Sequence, residues 1–186
     1  MNGKLYLIRH GKTDWNEQCK LQGRTDIPLN KSGKAQAREA ASEYRDIGFD
    51  VCYCSPLTRA RETMEILLEG RDIPVFFDDR LMEMNFGAYE GVCDYFEDES
   101  LPVNVFFKHP EDYHTAPPNG ECIDDLMKRT CNFLEEVALP LVQEGKSVLI
   151  VGHGAMDSAI VCNVKKRPLS EFWKEGIKNC KLIQLI

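Results

Sequence analysis

The chain has 186 residues, of which 43% are apolar and 28% are charged, a composition typical of a soluble globular protein with a sizeable core. Its formal net charge of −7 argues against a nucleic-acid partner, which would need a broad basic face. No stretch approaches the roughly 20 apolar residues of a membrane span, and the N-terminus has no apolar signal segment. We therefore expect a single domain over 1–186, no membrane partner and a cytoplasmic location.

Predicted strands and helices alternate along the chain. Short apolar runs indicate strands, and segments between a capping residue and a glycine indicate helices. The predicted strands are 4–8, 51–54, 75–77, 147–151 and 182–186. The predicted helices are 31–46 after the N-cap Asn30, 56–69 after the N-cap Ser55, 123–142, and one that follows the fourth strand and ends near Asn163. This alternation predicts an α/β fold of three α/β/α layers, with a mainly parallel central sheet.

The stretch 92–119 interrupts the alternation. It contains four prolines together with clustered acidic and aromatic residues. Because prolines interrupt helices and strands, we predict an irregular insertion here that forms a lid.

Two histidines occupy matched positions after predicted strands. His10 lies between Arg9 and Gly11, and His153 lies between two glycines. Since the carboxyl ends of parallel strands meet at one edge of a sheet, His10, Ser55 and His153 should converge there. A histidine beside arginine and glycine indicates a nucleophile in a phosphate pocket, because a guanidinium donates two parallel hydrogen bonds to a phosphoryl group.

Other phosphatase nucleophiles do not fit the spacing of the sequence. A cysteine nucleophile needs a longer spacing to its arginine than the four residues that separate Cys54 from Arg59. No Asp-x-Asp segment offers an aspartyl nucleophile, and no glycine-rich loop ends in Gly-Lys-Ser or Gly-Lys-Thr. The eight cysteines include no Cys-x-x-Cys pair, so we expect neither a zinc site nor a disulfide framework.

Four ordered blocks carry a family resemblance. They are Arg9-His10-Gly11-x-Thr13 with Trp15-Asn16 and Gln22-Gly23-Arg24-Thr25-Asp26-Ile27-Pro28-Leu29; Ser55-Pro56-Leu57-x-Arg59-Ala60; Glu83 ahead of Phe86-Gly87 and Glu90-Gly91; and Gly152-His153-Gly154. In this order they resemble the histidine phosphatase superfamily, also called the phosphoglycerate mutase-like superfamily, over about residues 4–160.

The resemblance implies a role for each matching residue. His10 would be the nucleophile that becomes phosphohistidine, and Glu83 would protonate the leaving oxygen and then activate water. Glu90 lies close enough in sequence to compete for that acid–base role. The implied phosphoryl-binding residues are Arg9, Arg59 and His153, and the implied substrate-binding residues are Asn16, Gln22, Gly23 and Gly154. No metal or cofactor is expected, because the arginines and histidines supply the positive charge.

The family contains both phosphatases and phosphoglycerate mutases, and two departures favour hydrolysis. Where mutases have an arginine-rich segment, residues 93–126 contain one cation, Lys108, against nine acids. Mutases also follow the second histidine with Gly-Asn and then an arginine, and those positions are here Ala155 and Ser158. We predict a phosphomonoester hydrolase of the phosphatase branch that acts on a small phosphorylated metabolite. A phosphoglycerate mutase and a catalytically silent binding relative are the alternatives.

The substrate stays open at this stage. Aromatic residues near the insertion could cover the site and favour an ester with an apolar or ring-bearing group, or they could simply bury the insertion; they are Tyr89, Tyr95, Phe96, Phe106, Phe107 and Tyr113. The block around Gln22 also resembles α-ribazole phosphatases and broad-specificity sugar phosphatases, so α-ribazole 5′-phosphate is one candidate among several. Scattered surface apolar residues permit a homodimer without requiring one.

Overall fold

Five strands form one sheet at the centre of the fold. The computed structural model describes residues 3–186. The strands are β1 (Lys4–Arg9), β2 (Val51–Cys54), β3 (Val75–Phe77), β4 (Ser147–Gly152) and β5 (Leu182–Gln184). Their order in the sheet is β3-β2-β4-β1-β5, and all neighbours run parallel except β5, which is antiparallel to β1. The predicted α/β class with a mainly parallel sheet is confirmed.

Helices cover both faces of this sheet. They are α1 (Asp14–Glu17), α2 (Lys31–Glu43), α3 (Thr58–Leu67), α4 (Asn104–Lys108), α5 (Ile123–Phe133), α6 (Leu139–Gln143) and α7 (Gly154–Lys165). Leu5 and Leu7 of β1 belong to one apolar cluster with α5 and α7, whereas Tyr6 and Ile8 belong to a second cluster with α2 and α3. Successive strand residues point to opposite faces, so this division confirms the three predicted layers. In residues 3–186, none of the helices has the length and apolar character of a membrane span.

Two predicted helix boundaries are wrong. The helix after β2 begins at Thr58, and Ser55 is not its N-cap. Ser55 Oγ instead accepts the backbone N–H of Leu57 at 3.3 Å and lies beside the ring of His153. The helix predicted over 31–46 ends at Glu43, before its predicted glycine stop signal.

The predicted helix over 123–142 is divided by a π-turn. Residues 134–138 form this wider turn between α5 and α6, and Pro140 lies in the first turn of α6. Proline lacks an N–H, and its ring would clash with the carbonyl four residues earlier. A local change to the wider hydrogen-bond spacing just before Pro140 accommodates both effects.

The insertion over 92–119 is mostly irregular and contains two short helical segments. It contains α4 and a short 3₁₀ turn, Pro110–Asp112. Val103 and Phe106 are fully buried, and Trp173 Nε1 donates to the backbone oxygen of Phe106 at 3.0 Å. Burial of these side chains fixes the middle of the insertion to the core.

Candidate active site

Three side chains meet at the carboxyl edge of the sheet, as the sequence predicts. His10 follows β1, Ser55 follows β2 and His153 follows β4. The backbone N–H of His10 donates to Gly152 O at 3.0 Å, which continues the pairing of β1 with β4 past the end of β1. The ring centroids of His10 and His153 lie 5.2 Å apart.

His10 is a neutral imidazole with one free lone pair. Its Nδ1 lies 2.6 Å from the backbone oxygen of Gly11. A carbonyl oxygen can only accept, so Nδ1 carries the proton and Nε2 is unprotonated. Burial lowers the pKa of His10 well below 6.5, and the positive charges of Arg59 and Arg9 lower it further. At neutral pH the ring therefore presents an unprotonated Nε2, the state that a nucleophile requires.

His153 is held at the start of α7. Its Nε2 lies 2.7 Å from Ser55 Oγ, and its ring is fully buried. Burial, followed by the charge of Arg59, lowers the pKa of His153 well below 6.5. A neutral ring at this position can donate one hydrogen bond to an anion without a full charge of its own.

Arg59 is a fully buried guanidinium at the start of α3. Nη2 donates to Gly23 O at 2.7 Å and Nη1 donates to Thr25 O at 3.1 Å. Burial lowers the pKa of Arg59 to about 10, while the charge of Glu83 opposes this change. Arg59 thus stays charged at neutral pH and ties the Gly23–Thr25 loop to the base of the site.

Arg9 lies against the first residue of α7. Its Nη1 donates to Ile177 O at 3.1 Å. Gly154 begins α7 directly against this guanidinium, since a Cβ on Gly154 would lie 3.2 Å from Arg9 Cζ. The structure therefore brings Arg9, Gly154 and the two histidines into one place.

Several buried polar atoms of these residues have no hydrogen-bond partner in residues 3–186. They are Nε of Arg9, Nε of Arg59, Nδ1 of His153 and both amide atoms of Gln22. A buried donor without a partner costs about 1–3 kcal/mol. Phosphoryl oxygens would satisfy several such donors together, which fits the predicted anion pocket.

The two candidate acids have different surroundings. Glu83 is buried, and its carboxylate accepts the N–H groups of Met84 at 2.8 Å, Met156 at 3.0 Å and Ala155 at 3.2 Å. The last two N–H groups belong to the first turn of α7, where the helix dipole favours an anion. Glu83 therefore lies at the same helix end as His153.

Glu90 is bound into the Gly23–Thr25 loop. It accepts the N–H groups of Arg24 at 2.8 Å and Thr25 at 2.7 Å, and the Thr25 hydroxyl as well. A Cβ on Gly23 would clash with Glu90 Oε1, so glycine is required there. Glu90 is a loop anchor, and the acid–base role assigned to Glu83 stays a prediction.

Asn16 forms its hydrogen bonds within the first loop. Its Oδ1 accepts the backbone N–H of Thr13 at 3.1 Å and the Thr13 hydroxyl at 3.2 Å, which caps α1. The geometry gives Asn16 a part in holding the loop after His10. Its predicted contact with substrate stays a prediction.

Arg129 supports the segment that carries Glu83. Its guanidinium donates to Arg80 O at 2.6 Å and Glu83 O at 3.2 Å, and it pairs with the Glu121 carboxylate at 2.7 Å. Glu121 also accepts the N–H of Asn85 at 3.0 Å. Sequence reasoning missed this pair, because neither residue lies beside the motif that it supports.

A cavity of about 390 Å³ opens beside Arg9 and Gly154. Its other lining residues are Phe96, Phe107, Ser158, Trp173, Gly176 and Ile177. The rings of Phe107 and Trp173 stack, with planes 13° apart and centroids 5.6 Å apart. Of the predicted aromatic cover, Phe96 and Phe107 line this cavity. Phe106 and Tyr113 belong to the core.

A second cavity, of about 450 Å³, also touches Arg9 and is basic. Lys12, Lys178 and Lys181 line it together with Gln36 and Asn179. Lys181 pairs with Glu43 at 2.8 Å. These lysines lie outside residues 93–126, the stretch in which the sequence analysis counted cations. That count therefore did not include them.

Potential metal ligands cluster elsewhere. In the described part of the chain, the side chains of His109, Glu111 and Asp112 bring three ligand atoms within 4.8 Å of one another, on the insertion. None of the predicted catalytic residues belongs to this group.

Comparison with known proteins identifies the family. A model of the histidine phosphatase superfamily, branch 1, matches residues 5–186. The chain belongs to this superfamily. It is 38% identical over 160 residues to the uncharacterized phosphatase PhoE of Bacillus subtilis, covering 85% of this chain and 75% of that protein. It is 29% identical over 179 residues to the 2,3-bisphosphoglycerate-dependent phosphoglycerate mutase 2 of Gloeobacter violaceus, covering 95% and 82% of the two chains.

Solved structures of other histidine phosphatases share the fold. The phosphoserine phosphatase of Entamoeba histolytica, in complex with 3-phosphoglyceric acid, is 31% identical with a TM-score of 0.83, and the match covers 98% of this chain and 89% of that one. Family membership and the phosphatases among the relatives support the predicted enzyme class, a phosphatase hydrolase.

The two buried histidines should make this histidine phosphatase sensitive to acid. In the unfolded chain both titrate near 6.5, whereas in the folded chain the pKa of each is lowered. Between these pKa values the unfolded state binds more protons than the folded state. The contribution of the two histidines to the free energy of unfolding is therefore fully present above the unfolded pKa and falls as the pH drops below it.

We expect the thermal midpoint to fall more steeply between about pH 7 and about pH 5 for the wild type than for His10→Gln. Differential scanning calorimetry in a series of buffers measures both slopes. His109→Gln, at an exposed histidine, should keep the wild-type slope. Equal slopes for wild type and His10→Gln would contradict the assignment of a buried neutral His10.

Proposed function

We propose that this chain is a metal-independent phosphomonoesterase that acts through a phosphohistidine on His10. The observation that carries the proposal is the geometry of His10: a buried ring whose Nδ1 lies 2.6 Å from Gly11 O, which leaves Nε2 as the free nitrogen near the charges of Arg9 and Arg59. A nucleophile with a free lone pair near two cations suits attack on a phosphoryl group, whose negative charge spreads over three oxygens.

The reaction proceeds in two balanced steps. In the first, Nε2 of His10 attacks phosphorus, the ester P–O bond breaks, and the leaving oxygen takes a proton from Glu83. In the second, Glu83 takes a proton from water, the water oxygen attacks phosphorus, and the P–N bond breaks to release phosphate. Arg9, Arg59 and His153 donate hydrogen bonds to the phosphoryl oxygens in both steps.

Hydrolysis is favoured over mutase chemistry by the residues at the start of α7. A mutase must bind a small, highly anionic substrate, and Ala155 and Ser158 stand where mutases have an asparagine and an arginine. Arg9 is the one charged side chain among the described residues that line the aromatic cavity. The basic cavity lined by Lys12 and Lys178 favours the second candidate, a substrate with a distant anionic group, and phosphoglycerate mutation stays the alternative on that ground.

The aromatic cavity supports a small phosphorylated metabolite with an apolar or ring-bearing group. Phe107 and Trp173 offer stacked rings that a planar group can contact. α-Ribazole 5′-phosphate is one such ester, and an alpha-ribazole phosphatase from Shigella flexneri shares this fold. Phosphoserine is the competing choice on the basis of relatives named phosphoserine phosphatase.

A panel of esters tests the proposal. Wild-type protein in excess EDTA is assayed against aryl phosphates, α-ribazole 5′-phosphate, nucleotides, sugar phosphates and phosphoserine, beside a 2,3-bisphosphoglycerate-dependent mutase assay. We expect phosphate release that EDTA does not reduce, with ring-bearing esters ranked first. Efficient mutase turnover would overturn the choice of hydrolysis. Absence of turnover on every ester would favour the silent binding relative.

Replacing Glu83 by glutamine tests the proposed acid. Glutamine fills a similar volume but cannot donate a proton, so turnover should fall by roughly 10²–10⁴-fold for esters with poor leaving groups and much less for aryl phosphates with acidic phenols. A leaving-group series for wild type and Glu83→Gln measures this slope. Glu90→Gln is the matched control and should lower every rate by a common factor. A uniform loss in Glu83→Gln would argue against its role as the acid.

Three wider proposals accompany the activity. We propose one domain over 1–186, a cytoplasmic location and a surface that permits, without requiring, a homodimer. The dimer is supported by Phe76 and Phe77 on the edge strand β3, each 51% exposed. Light scattering of wild type and of the double variant Phe76→Ser/Phe77→Ser measures the oligomeric state directly.

A further inference from the structure

Asp157 is a buried carboxyl group beneath the catalytic edge that the two proposed steps do not use. It lies in the first turn of α7 and has no exposed surface. Its Oδ1 accepts the backbone N–H of His153 at 3.1 Å, and its own N–H donates to His153 O at 2.9 Å. Asp157 thus binds both backbone polar groups of His153, the N-cap residue of α7.

The adjoining residue makes room for this carboxyl group. A Cβ on Gly152 would clash with Asp157 Oδ1 and with the end of the Met156 side chain. Glycine before His153 therefore lets the carboxyl group approach the backbone. The pair fixes the extended conformation of His153, whose φ and ψ are −139° and 171°.

We propose that Asp157 is a positioning residue, which holds the His153 backbone so that the imidazole faces the phosphoryl site beside His10. The proposal rests on the proposed function, since it assigns His153 a phosphoryl ligand. A rigid backbone at His153 limits the ring to the orientation in which Nε2 reaches Ser55 Oγ. An imidazole held in this way needs no reorganisation when the phosphoryl group arrives.

The surroundings of the Asp157 carboxyl group indicate that it is protonated and uncharged. Oδ2 is buried and has no hydrogen-bond partner in residues 3–186. Burial raises the pKa of Asp157 well above its ordinary value, and the charge of Glu83 raises it further. The charge of Arg9 and the N–H of His153 oppose this shift without outweighing it. A neutral carboxyl group can accept the His153 N–H without repelling a phosphate.

Two substitutions separate positioning from charge. Asp157→Asn keeps the acceptor oxygen and the neutral state, so kcat/KM should stay within about threefold of wild type, with the same pH profile. Asp157→Leu fills the space but removes the acceptor, and we expect kcat to fall by roughly 10- to 100-fold with a smaller change in KM. Cys162→Ser, a buried change elsewhere in α7, controls for a general loss of stability and should leave kcat unchanged.

Hydrogen exchange of the His153 amide, measured by NMR, gives a readout that needs no turnover. The amide should be protected in wild type and Asp157→Asn and exchange faster in Asp157→Leu. A wild type inactive on all esters would remove the proposed function while this readout still tests Asp157. If Asp157→Asn is as impaired as Asp157→Leu, the proposal that Asp157 acts as a neutral acceptor is wrong. Full activity together with a protected His153 amide in Asp157→Leu would also contradict the proposal. If Asp157→Leu does not fold, the comparison of wild type with Asp157→Asn decides.

Discussion

Phosphatase activity should fall by at least roughly 10⁴-fold when His10 is replaced by alanine, because no other side chain can take over attack on phosphorus. The ring lies at the end of β1 with Nδ1 bonded to Gly11 O, so Nε2 is the atom that alanine removes. The expected loss is in kcat, since the arginines that bind the phosphoryl oxygens remain. Steady-state kinetics on the best ester of the panel measures it.

The chain offers matched controls for this variant. His109→Ala and His114→Ala each remove a histidine from the exposed part of the insertion, and both should keep wild-type kcat/KM. Unfolding midpoints of all three variants show whether the fold is intact. A folded His10→Ala protein that keeps more than about a hundredth of the wild-type rate would exclude His10 as the nucleophile.

Arg59→Lys should produce the second largest loss, by roughly 10²–10³-fold in kcat/KM. Lysine keeps the charge but is a point donor, so it cannot hold Gly23 O and Thr25 O together and still reach a phosphoryl oxygen. The carbonyl groups left without donors should also lower the free energy of unfolding by about 2–4 kcal/mol.

Arg61→Lys is the control two residues further along α3. Arg61 lies over the exposed ring of Phe77, and the change there should alter neither kinetics nor stability by much. The inhibition constant of inorganic phosphate separates binding from folding, and it should rise in Arg59→Lys alone. Unchanged inhibition and turnover in a stable Arg59→Lys protein would remove Arg59 from the phosphoryl pocket.

The sequence predicts the parts of the site that follow directly from strand order. His10, Ser55 and His153 each come directly after a strand, and parallel strands bring such positions together whatever the lengths of the intervening segments. Arg59 is predictable for the same reason, since α3 starts just after β2. The three-layer fold rests on the same alternation.

Other features depend on contacts between distant segments and could not be predicted in this way. The sequence favours Glu83 over Glu90 as the acid, but it does not show that one carboxylate faces the N-terminus of α7 and the other faces the Gly23–Thr25 loop. The support of Glu83 by Arg129 spans 46 positions and carries no local pattern.

Trp173 and Asp157 are two further residues whose positions the sequence does not predict. Trp173 lies beyond the four motif blocks read from the sequence, and only the fold brings it to the aromatic cavity beside Arg9. Asp157 lies in the buried and mostly apolar part of α7, where sequence reasoning expects a hydrophobic side chain. Its partner is a backbone N–H, which no sequence pattern displays.

The phosphohistidine itself is the most direct test. Wild-type protein is mixed with a ³²P-labelled ester, quenched in denaturant within milliseconds, and digested for mass spectrometry. We expect label that is stable in base, labile in acid, and located on the peptide that contains His10, with a formation rate at least equal to kcat. Steady turnover without label on His10, or label on another residue such as Cys54, would contradict the proposed mechanism.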